Sequence, residues 1–267
     1  MKIISSFFSF TLFLLISSNS AVADAAQKGK GFLQEMRTLS EARGTLWKAY
    51  KSYILIGMNN HYKNPEKSLK NSVEAFDKAL KEVKAYADRK DFLETEGILE
   101  EAENHWKQLK PLFLAQPDPK KIPEIDKHSM KMIAIIIHAL NAMGSEEEND
   151  NWRYLERAQM AQNTAQRMAT LYLDRTWEAL SPERYENMMK ITADSYEESV
   201  DLIKKSKYAT PEIRKILQSA DRDYLFFKMM GHGKNGIFIP TLIYKKASDM
   251  DRKMGECTTL IMKQIGS

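Results

Sequence analysis

The sequence predicts an all-α protein built as two tandem up-down four-helix-bundle units. Three observations predict it. Apolar residues recur at helical spacing in almost every segment. Leu, Ala, Glu, Lys and Met, all good helix formers, dominate the composition. Four short traces recur in the same order at a period of about 120 residues. The 267 residues are 43% hydrophobic, enough to bury one large core or two small ones.

The elements follow in order. Helix one runs from about Gln27 to Met58, and Asn59 to Pro65 breaks it. Helix two covers Pro65 to Arg89 and helix three Phe92 to Leu114. Gln116-Pro117-Asp118-Pro119 is a breaker, and helix four covers Ile122 to Met143. Gly144 to Asp150 reads as an acidic linker, after which helix five covers Trp152 to Leu180. Ser181-Pro182-Glu183 opens helix six and Thr210-Pro211-Glu212 opens helix seven, each with a hydroxyl cap before a first-turn proline. Gly231 to Gly236 is a turn, and helix eight covers Pro240 to Ile265.

The repeated traces pair Asn64-Pro65-Glu66-Lys67 with Ser181-Pro182-Glu183-Arg184, and Phe76 to Val83 with Tyr196 to Ile203. They also pair Ile98-Leu99 with Ile216-Leu217, and Ile122-Pro123 with Ile239-Pro240. The units they imply are residues 24–146 and 147–267. Four amphipathic helices on short connections make a bundle. A tetratricopeptide array needs a period of about 34 residues, which helix one alone nearly fills.

Residues 1–23 read as a secretory leader. Lys2 precedes an apolar stretch from Ile3 to Ile16, and Ala21-Val22-Ala23 is an A-x-A cleavage pattern. The stretch is shorter than the ~20 residues that span a bilayer, so the expectation is a mature, periplasmic chain. Forty basic residues nearly balance thirty-six acidic ones, for a net charge of +4. Nucleic-acid binding needs a concentrated basic face and is not expected. The one cysteine, Cys257, falls on an apolar stripe with Ile243, Ala247, Met250, Met254 and Ile261. It reads as a buried small hydrophobe.

Helix one carries the most information. Phe32, Met36, Leu39, Arg43, Leu46, Tyr50, Tyr53 and Gly57 alternate at spacings of four and three, a packing seam. Arg43 is the one permanent cation on it. A buried guanidinium is costly unless an anion satisfies it. The partner is either a carboxylate of the chain, such as Glu41, or a bound small anion.

Ser40-Glu41-Ala42-Arg43-Gly44 followed by Tyr53-Ile54-Leu55-Ile56-Gly57 resembles the first helix of PilJ-type sensor domains. These are the periplasmic parts of type IV pilus chemotaxis transducers, related to nitrate-sensing kinases of NarX type. Their helix one carries roughly A-G-x-x-R-M-x-S-Q-R-M-A-K-x-Y-L. Gln166-Arg167-Met168-Ala169-Thr170-Leu171-Tyr172-Leu173 is similar to its later part, and Ile239-Pro240-Thr241-Leu242-Ile243 to the start of the family's last helix. The resemblance spans nearly all of the chain after the leader, as two degenerate copies. It implies a ligand-sensing bundle in which the first motif arginine binds nitrate with help from the preceding glycine. That arginine position is Arg43, with Ser40 in the glycine's place and Gly44 in the methionine's. In the second copy the two positions hold Gln162 and Gln159, and Arg167 matches the second, structural arginine. The implied ligand-binding set is therefore Arg43, Ser40, Gln162 and Arg167.

Other chemistry finds no pattern. His61, His105, His128, His138 and His232 form no Glu-x-x-His or His-x-x-x-His pair, so neither a metal site nor a cofactor is implied. His138 sits in the apolar run Met132 to Ala142 and reads as a core histidine. No nucleophile, base and orienting group assemble, so catalysis is not expected. The expected function is an exported, non-enzymatic, sensor-like module. It would bind a small solute, an anion among the candidates, or dock on a membrane receptor. The alternative is a structural or adaptor bundle with no small-molecule ligand, its seams used for packing and homodimerisation.

Overall fold

The computed structural model describes the backbone of residues 7–231 and 239–266, and the side chains of 31–229 and 239–266. Among the described residues the chain is all α, with eight helices, one 3-10 turn and no strand. The helices are α1 Phe7–Gly57, α2 Pro65–Arg89, α3 Leu93–Leu114, α4 Ile122–Glu146, α5 Trp152–Thr176, α6 Pro182–Lys205, α7 Pro211–Gly231 and α8 Pro240–Ile265. The expected leader, residues 1–23, and the glycine-rich turn at 231–236 lie outside the described side chains. No described helix is long and apolar enough to cross a membrane.

Local chemistry sets the helix starts. Pro65, Pro182, Pro211 and Pro240 each occupy the first helical position, where a missing N–H costs nothing. The side chains of Asn64, Ser181 and Thr210 accept hydrogen bonds from the amides of Lys67 (3.0 Å), Arg184 (3.3 Å) and Ile213 (3.3 Å). Helix α3 begins after Phe92, which has no acceptor to offer. Its cap comes from the end of α4. The Glu146 carboxylate accepts from the amides of Glu94 (3.0 Å) and Thr95 (3.2 Å) and from the Thr95 hydroxyl (2.5 Å). An anion there also meets the positive end of the helix dipole.

Two sequence expectations need correction. Gly144 does not begin a linker, because α4 continues to Glu146. A Cβ at Gly144 would collide with the Trp152 indole, so the glycine is there for close packing between α4 and α5. His138 is not in the core. Its side chain is 63% exposed and lies 4.0 Å from Glu94, because it points away from the face bearing Ile135, Ile136 and Ala139.

Helix α1 packs on α2 and α4, and α3 on α2 and α4, around one apolar core. Helix α5 packs on α6 and α8, and α7 on α8, around a second core, while α6 and α7 touch sparingly. Several side-chain arrangements occur once around each core. Asp77 accepts from Trp106 Nε1 (2.6 Å) and Lys110 (2.6 Å), with Phe76 against the indole (4.3 Å between centroids). Glu197 accepts from the Tyr224 hydroxyl (2.6 Å) and Lys228 (2.9 Å), with Tyr196 stacked on Tyr224 (4.4 Å). Lys84 pairs with Glu103 at 3.0 Å as Lys204 pairs with Asp221 at 2.8 Å. The Tyr53 hydroxyl accepts from the Asp118 amide (3.0 Å) and the Tyr172 hydroxyl from the Ile239 amide (3.2 Å).

The cross-helix cap gives a first prediction. Glu146→Ala removes an anionic cap and should destabilise the chain by about 1–2 kcal/mol. Urea denaturation should show a lower midpoint with an unchanged slope.

Candidate functional site

The two cores meet where α1 lies along α5. The helices run parallel, since Gln159 Nε2, Asn163 Nδ2 and Thr170 Oγ1 donate in turn to the carbonyls of Arg37 (3.1 Å), Ser40 (3.2 Å) and Trp47 (3.5 Å). Short polar side chains of α5 thus reach the backbone of α1. Gly44 permits this approach, because a Cβ there would meet the Asn163 side-chain oxygen. The contact is buried yet strongly polar. Ser40, Arg43, Lys51, Ser52, Gln159, Asn163, Gln166, Arg167, Thr170 and Asp174 are all buried in or beside it.

Arg43 is 1% exposed, and its guanidinium lies within the seam as the helix-one spacing requires. Its charge is met from α5. Glu156 accepts from Nη1 at 3.0 Å, and the Ser40 hydroxyl accepts from Nη2. Glu41 instead pairs with Arg37 at 2.7 Å. Burial lowers the Arg43 pKa, and Glu156 opposes the shift. Outside this pair, a cavity of about 340 Å³ opens between α4 and α5, lined by Asn141, Trp152, Arg153, Glu156, Arg157 and Met160 among others. Arg153 and Arg157 are the cations on its wall, and Arg43 lies behind Glu156.

Of the four residues implied by the resemblance, Ser40 and Arg43 lie together. Gln162 is turned away, donating to Asp251 of α8 at 3.1 Å. Arg167 sits in a different cluster, over the Trp47 ring (4.2 Å) and 2.8 Å from Asp126. Asp126 also meets Arg184 at 3.2 Å. Beside them Asp174 is buried, close to Arg167 and to the Tyr50 hydroxyl. Burial raises the Asp174 carboxyl well above the usual carboxylate range. Arg167 opposes that rise and Asp126 adds to it.

Sequence reasoning missed Lys51. It is 2% exposed, and its ammonium donates to Gln166 Oε1 at 2.6 Å and lies 4.2 Å from the centre of the Tyr244 ring. No carboxylate pairs with it among the described residues. Burial, with Lys48 adding to it, lowers its pKa from the ordinary lysine value of 10.5 to about 7. The only sequence signal is that Lys51 directly follows the seam residue Tyr50, on a helix buried on more than one side.

Among the described residues no group of three or more His, Cys, Asp or Glu is placed to hold a metal ion. Cys257 is fully buried, which pushes its thiol up to about 12 and keeps it from acting as a nucleophile. The chain matches no family model, no curated protein and no solved structure.

Two predictions follow from the seam. Arg43→Met strands Glu156 and should cost roughly 3 kcal/mol, whereas Arg43→Met with Glu156→Met should regain most of that loss. Chemical denaturation of the single and double variants measures both. For Lys51, the unfolded chain holds a proton that the folded chain releases near pH 7. Between about pH 7 and the ordinary value of 10.5 the unfolded state therefore binds more protons, and stability rises with pH. Lys48 on the same helix disfavours the Lys51 charge, and Asp251 on α8 favours it. Lys51→Met should raise the melting temperature by several degrees at pH 6.5, since ~1 kcal/mol moves Tm by about 2–4 °C in a chain of this size. The gain should shrink as pH rises through this window, as thermal unfolding at four pH values would show.

Proposed function

We propose that this chain is an exported, non-enzymatic, sensor-like module of two tandem PilJ-like four-helix units. It acts by shifting α1 against α5 when a small solute binds or when it docks on a membrane receptor. One observation carries the reading: the α1–α5 contact is buried but polar, while the cores on either side of it are apolar. An interface built only to hold two bundles together gains most from apolar packing, because buried ion pairs seldom stabilise more than hydrophobic residues of the same volume. Hydrogen bonds and ion pairs instead define discrete registers between which a helix can step. The cavity offers a solute a place beside Glu156, the partner of Arg43, and against Arg153 and Arg157.

The adaptor reading also has an observation in its favour. Glu156 already satisfies the Arg43 charge, so no external anion is needed for the chain to fold.

The two readings part in hydrogen exchange of the chain lacking residues 1–23, measured against a library of small anions and neutral solutes. On the sensor reading at least one solute changes amide exchange along both α1 and α5, and Arg43→Met with Glu156→Met abolishes that change. Uniform exchange with every solute, and with membrane vesicles added, would leave the structural adaptor as the function.

A further inference from the structure

The structure assigns a second binding site, for a small water-soluble polyanion, to the pocket between α1, the start of α2 and α8. The pocket is an open depression of about 420 Å³ whose lining includes Lys48, Lys63, Asn64, Lys67, Ser68 and Tyr244. Its three charged lining groups are all lysines, and most of the rest can donate hydrogen bonds. That composition stands out in a chain with 40 basic and 36 acidic residues, whose helices elsewhere pair their charges at short range.

The lysines are poorly neutralised. Lys48 pairs with Asp251 at 2.9 Å. Lys63 and Lys67 form no ion pair among the described residues, although the Lys63 ammonium lies 5.9 Å from the Tyr62 ring. Two consecutive residues with left-handed backbone, Lys63 (φ 59°) and Asn64 (φ 53°), hold this edge of the pocket.

A second, independent observation lies behind the pocket wall. The face of Tyr244 carries the buried Lys51 ammonium. The groups facing Lys51 are Lys48 on α1, the neutral Gln166 on α5, and Tyr244 and Asp251 on α8. Four lysines thus share one carboxylate in this corner of the fold. A buried, unneutralised amine costs free energy, and an anion in the adjoining pocket would lower that cost. Phosphate and carboxylate groups are the chemistry that clustered ammonium, amide and hydroxyl donors recognise. The volume admits a solute larger than one phosphate.

The site differs from the cavity at Glu156 and does not require α1 to move along α5. The test is calorimetric titration, at low ionic strength and pH 8, of the chain lacking residues 1–23 with inorganic phosphate, pyrophosphate and citrate. The proposal expects saturable binding, tighter for the multivalent anions than for phosphate. Lys63→Gln with Lys67→Gln should weaken it by at least about tenfold. Both lysines are exposed, so the variant should fold as the parent does. Lys70→Gln with Lys78→Gln, on α2 outside the pocket, removes the same charge and should leave binding unchanged. Binding should also take up a proton, because an anion nearby favours the charged form of Lys51. Titrations in two buffers of different ionisation heat measure that uptake, which loosely held surface anions would not produce. Absence of saturable binding by all three probes, or binding equally weakened by both lysine pairs, overturns the site. Binding to phosphatidylglycerol vesicles alone overturns the free-solute assignment. Binding here without change in α1–α5 exchange would keep the site and leave the sensor reading to its own test; exchange changes that survive the pocket variant would place the sensed solute outside this pocket.

Discussion

The architecture depends on how closely α1 and α5 approach each other. Each is the central helix of its own core, and each is also half of the contact that joins the cores. A helix in that position has no solvent face over much of its length. The chain resolves this by placing short polar groups between the two, while Trp152, Leu155 and Leu173 of α5 join the core around α1. Asn163, Gln159 and Thr170 bond directly to carbonyls of α1, and Gly44 clears the space for them. Each such bond contributes only about 1 kcal/mol, but leaving one unmade in a buried site costs more. The contact therefore specifies one register more strongly than it adds stability.

That division explains where the charged residues lie. Arg43 and Glu156 close one part of the seam, Lys51 sits deeper without a counter-ion, and Asp126 with Arg167 and Arg184 closes another. Burial raises the Asp174 carboxyl, beside the last group, well above the usual carboxylate range, against Arg167, Tyr50 and Arg184. Burial acts on Asp174 and Lys51 in opposite senses, pushing the acid up and the amine down. Each is a buried group whose charge state depends on what reaches it. Such groups are tolerated where a fold keeps a degree of freedom, and here both lie on the two helices that join the cores.

Much of the fold could be read from the sequence. Proline at first-turn positions with Ser or Thr before them marks the starts of α6 and α7, and those caps form; Asn64 makes the corresponding cap on α2. The alternating four-three spacing of α1 places Arg43 inside a seam, where it is found. What could not be read is long-range pairing. Glu156 lies on another helix and looks like an ordinary solvated glutamate next to Arg157. The local candidate Glu41 was equally plausible on spacing but is taken by Arg37. Lys51 escaped notice for a related reason. One lysine on a helix is normally solvated, and only the arrival of α5 and α8 buries it. His138 shows the opposite error, since an apolar run of residues does not bury every position within it. Gly144 shows a glycine whose role is set by the indole it faces, not by the chain direction around it.

The repeated contacts around the two cores add a last step. Asp77 with Trp106 and Lys110, and Glu197 with Tyr224 and Lys228, solve the same problem with different side chains. In each, one carboxylate ties the first and last residues of an aromatic-x-x-x-Lys turn to the neighbouring helix. Aromatic identity changes from indole to phenol while the donor geometry persists, so the constraint acts on hydrogen-bond donors and ring faces, not on residue names. Along α1 and α5 the same freedom is absent. Arg43 of α1 is paired with Glu156 across the seam, whereas Gln162 of α5 turns to Asp251 of α8. The outer helices thus share these contacts around both cores, while in the seam α1 and α5 meet different partners. That contact is therefore asymmetric, so a solute or partner would meet two different surfaces there and not one surface twice.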